Sequence, residues 1–141
     1  MEFYKNTLMT LEEIQEQDGK DLYIFKCFCG KGYITDKKLK PSQVSCGCWK
    51  RSHLRYAYKS MVSRCYNKKN TSYRTYGKRG IKICDLWLND RIEFFRWSLL
   101  NGWEDGLSLD KIDNNGNYEP SNCQWITVKE NSSRPRSRFL Q

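Results

Sequence analysis

The chain has 141 residues, with 25 Lys and Arg against 16 Asp and Glu, and its formal net charge is +9. This length suits one ordinary domain or two very small ones, and this charge makes polyanions the expected partners. The sequence has no apolar run of about 18 or more residues and no secretory signal pattern, so we expect a cytoplasmic protein without a membrane span. Seven cysteines in such a chain favour metal ligands over disulfides.

Residues 1–22 are rich in acid and are predicted to form an N-terminal helical segment. Thr10 and Glu13 have the spacing of a capping box, which predicts a short helix over 11–17. The Asp18-Gly19 pair would end that helix. The segment has no feature that predicts a function.

Residues 23–50 contain two closely spaced pairs of cysteines. Strand-like residues over 23–26 precede the first pair, and another strand-like segment lies between the pairs. The cysteines are Cys27, Cys29, Cys46 and Cys48. Four thiolates suit tetrahedral zinc, so the pattern predicts a zinc ribbon over 23–50 whose closed ligand sphere makes the ion structural. The alternatives are four unrelated core cysteines or two disulfides.

Residues 51–89 are predicted to bind nucleic acid through a basic helix and loop. No Asp or Glu lies between Trp49 and Cys84, whereas Lys and Arg recur throughout. Apolar residues at helical spacing predict an amphipathic helix over 54–66, and glycines interrupt a basic loop over 77–80. The candidate phosphate contacts are Arg55, Lys59, Lys78 and Arg79. The alternative is a solvated helix with a flexible loop.

Residues 90–133 are predicted to form a core helix followed by a β-hairpin and a short helix. Asp90 caps the core helix, and strand-like residues over 107–112 and 123–126 flank a loop rich in Asn and Gly. Thr127 and Glu130 form a capping box that begins the last helix at Val128. A basic tail over 134–141 adds Arg134 and Arg136 as candidate DNA contacts.

The hairpin and last helix resemble the ββα-metal (HNH) nuclease motif of phage and intron-encoded homing endonucleases. The motif runs as Asp110-Lys111-Ile112-Asp113, then from Asn122 to Thr127, then Glu130-Asn131. Phage proteins of this kind often carry a C-x-C…C-G-C block before the nuclease part, as this chain does. The resemblance extends from about Cys27 to Arg138. It implies an α+β fold in which a small zinc ribbon precedes an HNH-like (His-Me finger) unit.

The resemblance also implies a function, which is hydrolysis of DNA phosphodiesters with one divalent ion. Asp110 and Asn131 would ligate Mg²⁺ or Mn²⁺, and Asn122 would hold the hairpin loop by hydrogen bonds. Lys111 stands where the family has its catalytic His. It could stabilise phosphorane charge, or act as the base if its pKa is strongly lowered. The implied partner is double-stranded DNA, in a phage-encoded protein or in the bacterial host cytoplasm.

Two alternatives to cutting stay open on the sequence. One is a catalytically inactive, HNH-derived protein that binds nucleic acid or inhibits a host system. The other is a module that binds a protein partner. A further open point is whether Cys65, Cys84 and Cys123 bind a second metal with His53, or are small core residues.

Overall fold

A computed structural model describes residues 2–37, 39–40, 43–51 and 53–133, and the fold is a mixed α+β arrangement of small sheets and helices. The predicted class is confirmed at that level. The chain divides into two units, Met1–Ser52 and His53–Gln141. The predicted segments 1–22 and 23–50 therefore form one unit, and the segments 51–89 and 90–133 lie together in the other.

The unit Met1–Ser52 is built on a three-stranded antiparallel sheet of β1 (Met9–Gln17), β2 (Lys20–Cys27) and β3 (Gly32–Thr35), in that order. Met9, Phe25 and Cys27 are buried and form its core, with partly buried aromatic side chains packed around them. Burial of these residues on one face of the sheet follows from the two-residue period of a strand.

The predicted helix over 11–17 is wrong, because these residues lie in β1. Gln17 pairs with Lys20, so Asp18 and Gly19 form a two-residue hairpin turn, with φ angles of 52° and 73°. An Asp-Gly pair with both φ angles positive is a strong hairpin signal, and it is more informative than a four-residue capping pattern. A helix of seven residues is also marginal by itself, whereas β1 gains a full ladder of hydrogen bonds to β2.

The described part of the unit His53–Gln141 contains four α-helices, and the first three contribute to a buried aromatic core. Its helices are α1 (His53–Tyr66), α2 (Asp85–Asn89), α3 (Arg91–Leu100) and α4 (Val128–Ser133). Leu54, Met61 and Cys65 form the buried face of α1, which confirms the predicted amphipathic helix. The predicted cap of α3 is also confirmed, because Asp90 accepts a hydrogen bond from the backbone N–H of Ile92 at 3.0 Å.

Phe94 lies at the centre of the aromatic cluster in this unit. Its ring centroid is 5.0 Å from that of Trp87, 5.4 Å from that of Tyr58 and 6.2 Å from that of Trp125. Trp125 belongs to the β-hairpin, whereas Tyr58 and Phe94 belong to α1 and α3. The cluster therefore fixes the hairpin against the two helices.

The hairpin consists of β4 (Leu107–Lys111) and β5 (Cys123–Thr127), which pair antiparallel and lead directly into α4. Asp110 lies opposite Gln124, and Lys111 lies opposite Cys123. Thr127 accepts a hydrogen bond from the backbone N–H of Glu130 at 3.1 Å, so the predicted start of the last helix is confirmed. Within the described residues, none of the helices is long and apolar enough to cross a membrane.

Candidate functional site

The four paired cysteines of the unit Met1–Ser52 lie together. Their sulfur atoms all lie within 4.8 Å of one another, with Sγ–Sγ distances of 3.6 Å between Cys27 and Cys48 and 3.5 Å between Cys29 and Cys46. A disulfide would require a distance of about 2.05 Å. The alternative of two disulfides is therefore wrong, and all seven cysteines of the chain are free thiols.

This geometry fits a tetrahedral metal ion. A Zn–S bond of about 2.3 Å implies sulfur atoms about 3.8 Å apart, close to the spacings found. Gly30 and Gly47 have φ angles of 90° and 110°, and the backbone N–H of Cys46 donates to the sulfur of Cys27 at 3.4 Å. Burial, and then the neighbouring cysteines, raise the pKa of Cys48. A bound cation would offset the cost of ionising thiols this close together.

The remaining cysteines form no second metal group. Among the described residues, only the four paired cysteines bring three or more His, Cys, Asp or Glu ligand atoms together. Cys65 and Cys123 are buried, and burial raises the pKa of the first to about 11 and of the second to about 12. His53 is exposed and lies 3.3 Å from a carboxylate oxygen of Asp105. These thiols are small core residues.

Asn122 holds the hairpin loop in the way that the motif predicts. Its side-chain oxygen accepts from the backbone N–H of Asp113 at 2.8 Å, and its side-chain nitrogen donates to the carbonyls of Asp113 at 3.1 Å and Asn117 at 2.9 Å. Gly116 packs against this amide, since a Cβ atom there would lie 2.6 Å from its nitrogen. The loop is therefore fixed from its interior.

Lys111 points into the same loop. Its ammonium donates to the carbonyls of Asn114 at 2.7 Å and Gly116 at 3.1 Å, and it lies 5.3 Å from the ring centroids of both Tyr76 and Tyr118. Burial first, and then the charge of Arg79, lower the pKa of Lys111 to about 8. The two carbonyl acceptors nevertheless favour the protonated ammonium. In this arrangement Lys111 braces the loop.

Asp110 and Asn131 line one polar cleft with a volume of about 240 Å³. Asp110 extends from β4 and accepts a hydrogen bond from the side chain of Gln124 at 3.0 Å. Asn131 extends from α4 and donates its amide nitrogen to the hydroxyl of Ser108 at 2.8 Å. The direct β5–α4 connection places α4 beside β4, which brings these two side chains to the same cleft.

Other residues of the cleft lining lie outside the motif. Arg64 from α1, together with Ser72, Thr75 and Tyr76 from the following turns, contributes to its lining. The guanidinium of Arg64 lies 5.5 Å from the centroid of the Tyr76 ring. In the sequence Arg64 belongs to the pattern Met61-x-x-Arg64-Cys65-Tyr66, which is part of the resemblance to phage HNH proteins. It stands 46 residues before Asp110, and no spacing signal links the two side chains.

The predicted nucleic-acid contacts differ in their surroundings. Lys59 and Lys78 are exposed, and Arg55 is half-buried. Arg79 is exposed but fixed, because it donates to the side-chain oxygen of Asn115 and, at 3.1 Å, to the carbonyl of Thr75. The basic loop over 77–80 is thereby connected to the hairpin loop. The predicted contacts Arg134 and Arg136 lie outside the described residues.

Comparisons with protein-family models, with curated proteins and with solved structures give no significant match to this chain. The HNH resemblance therefore stays a prediction, and function is inferred from the two sites themselves.

Proposed function

We propose that the unit His53–Gln141 is an HNH-type endonuclease unit that hydrolyses DNA phosphodiesters with one divalent ion. The observation that supports this most directly is the shared cleft of Asp110 and Asn131. A carboxylate and a carboxamide oxygen are ligands that hard cations prefer, and so few protein ligands leave positions for phosphate and water. When bound, Mg²⁺ or Mn²⁺ supplies Lewis-acid polarisation of a phosphate oxygen.

The surroundings of Asp110 and Asn131 suit the binding of a divalent ion. A carboxylate has about four lone-pair positions, so the hydrogen bond from Gln124 leaves Asp110 able to ligate a cation. The bond from Asn131 to Ser108 uses the amide nitrogen, which fixes the amide plane and presents its oxygen as the ligand atom. Both side chains are half-buried, so they are held in place while the cleft stays accessible.

DNA is the proposed substrate because this part of the chain is strongly basic. The segment 53–141 contains 16 Lys and Arg against nine Asp and Glu, a formal charge of +7. A surface of this kind binds phosphates without regard to sequence and increases the local concentration of DNA. The exposed residues Lys59, Lys78 and Arg79 are proposed as such contacts.

The second candidate function is DNA binding without cutting, either as such or as part of an inhibitor of a host system. It is favoured by the orientation of Lys111, which donates to two loop carbonyls where a base would have to accept a proton from water. In this alternative the same cleft and cations hold DNA, but hydrolysis does not follow.

Nicking of supercoiled plasmid with Mg²⁺ or Mn²⁺ tests the proposal. We expect wild-type protein to nick, and Asp110→Asn and Asn131→Ala to lose about a hundredfold or more, since even residues that only support a metal ligand contribute roughly 10- to 100-fold. Asp85→Asn is the matched control, because it removes an exposed carboxylate of α2 outside the cleft. Salt-dependent DNA binding by wild-type protein without nicking would refute hydrolysis and select the second candidate.

For the unit Met1–Ser52, we propose that the four-cysteine group binds zinc as a structural ion. Four thiolates complete the coordination sphere, which leaves no position for substrate. Among its described residues, this unit buries only five hydrophobic side chains, those of Leu8, Met9, Phe25, Cys27 and Val44, so cross-linking by a metal would add stability that its small core lacks.

A further inference from the structure

We propose that Arg64 is the anion-binding residue of the cleft and that it holds a non-bridging oxygen of the DNA phosphodiester. This inference rests on the proposed function of the cleft and assigns its second binding group. Asp110 and Asn131 would bind the cation, and Arg64 would bind the phosphate from the part of the lining that α1 supplies.

Arg64 is a half-buried cation without a carboxylate partner. Among the described residues, no Asp or Glu forms an ion pair with it, whereas Arg96 pairs with Glu93 at 3.6 Å. A guanidinium that is partly removed from water loses hydration, and proteins usually compensate this loss with an anion. The guanidinium of Arg64 lines an open polar cleft, so an anion bound in this cleft would compensate for the lost hydration.

The guanidinium is also held in a fixed position. It lies over the Tyr76 ring, and it lines the cleft together with the buried side chain of Tyr118. The rings of Tyr76 and Tyr118 are stacked, with centroids 6.1 Å apart and an interplanar angle of 12°. A guanidinium has five N–H donors, and these contacts leave most of them available. The available donors form a planar fork that matches two phosphate oxygens.

The size of the cleft defines the ligand class. Its volume of about 240 Å³ lies below the roughly 300–1,000 Å³ of sites that enclose whole small molecules. Such a space suits one phosphodiester group with its surrounding water and does not suit an enclosed nucleotide. The rest of the DNA would then lie over the exposed basic surface.

The test measures binding of a fluorescent duplex oligonucleotide in buffer without added Mg²⁺ or Mn²⁺, so that no divalent ion contributes at the cleft and the zinc of the four-cysteine group stays bound. We expect Arg64→Gln to bind about tenfold more weakly than wild type and to lower the slope of log K against log salt by about 1. Arg91→Gln is the charge-matched control on the exposed start of α3, outside the cleft lining, and should bind like wild type. Equal affinity of the Arg64 and Arg91 variants would overturn the inference.

A second measurement uses the unaltered protein, in case Arg64→Gln does not fold. Phenylglyoxal modifies accessible arginines, and peptide mass spectrometry reports each site. We expect the duplex to slow modification of Arg64 more than that of Arg91, again without added Mg²⁺ or Mn²⁺. Equal rates at Arg64 with and without DNA would overturn the inference.

The two proposals fail in different ways. If Arg64→Gln loses DNA affinity but wild-type protein does not nick with either metal ion, the anion site stands and hydrolysis is refuted. If Asp110→Asn abolishes nicking but Arg64→Gln binds DNA and nicks like wild type, the nuclease stands and the role of Arg64 is refuted.

Discussion

The candidate ligands of the two units are separated by very different distances along the chain. In Met1–Ser52, each pair of cysteines is separated by a single residue, and the sheet has only to bring two short turns together. In His53–Gln141, the cleft combines side chains from α1, β4 and α4. A closed site of four identical ligands stabilises a fold, whereas an open cleft of mixed charge can admit a substrate.

Loss of the metal is the largest expected effect and would separate the two units most clearly. We expect Cys46→Ser to lose bound zinc and, with it, the protection of Met1–Ser52 from hydrogen exchange, while His53–Gln141 keeps its protection. The physical reason is that structural zinc contributes about 10–16 kcal/mol of apparent binding energy in small zinc peptides near neutral pH. Metal content by mass spectrometry and hydrogen exchange along the chain would measure this.

Cys84→Ser is the control for that experiment, since Cys84 is a half-buried thiol outside the four-cysteine group. It should retain the metal and the protection of both units. Wild-type protein that contains no bound metal, or a Cys46→Ser variant that stays fully protected, would contradict a structural role for zinc.

A matched pair of glycine substitutions would show how tightly each unit is packed. A Cβ atom at Gly77 would lie 2.0 Å from the carbonyl oxygen of Cys65 and 2.4 Å from the Tyr73 ring, whereas one at Gly32 would meet nothing within 4 Å. Because the first clash involves the backbone of α1, we expect Gly77→Ala to lower the free energy of unfolding by about 3 kcal/mol. Gly32→Ala should change it by about 0.5 kcal/mol or less.

Urea unfolding followed by tryptophan fluorescence would report on His53–Gln141, which contains Trp87, Trp97, Trp103 and Trp125. Circular dichroism would follow the sheet that contains Gly32. If Gly77→Ala proved as stable as wild type, the close contact between the 77–80 loop and α1 would be wrong.

Thiol reactivity would distinguish the units without any amino-acid substitution. Burial raises the pKa of Cys123 to about 12, so about one thiol in 10⁴ is ionised at pH 8. Cys29 is exposed, so with a chelator present it should alkylate about a thousandfold faster than Cys123. Since the thiolate fraction rises about tenfold per pH unit below the pKa, alkylation of Cys123 should accelerate steadily from pH 8 to about 11.

Mass spectrometry of iodoacetamide-treated peptides would give these rates. In guanidinium all seven cysteines should react alike, which controls for differences in detection. Alkylation of Cys123 at the rate of Cys29 at pH 8 in the native protein would show that the hairpin is not buried against α1.

Predictions from sequence patterns were correct where neighbouring residues alone determine the local structure. The caps at Asp90 and Thr127 were correctly predicted, because a cap requires only the side chain and a backbone N–H two or three residues later. The prediction for 11–17 failed, because it relied on a capping pattern while the Asp18-Gly19 turn and the pairing with β2 determine the structure. In that segment the hydrogen-bond ladder between β1 and β2 outweighed a weak local preference for a helix.

The sequence by itself therefore determined the two cysteine pairs, the cationic composition and the strand–loop–strand–helix order around Asp110, since each depends on neighbouring residues. Only the tertiary structure decided that Arg64 shares a cleft with Asp110 and Asn131, and that Lys111 turns into the loop. The direction of a side chain depends on which distant groups offer it hydrogen bonds, ring faces or open water. Such partners are fixed only when α1, the turns after it and the hairpin pack together.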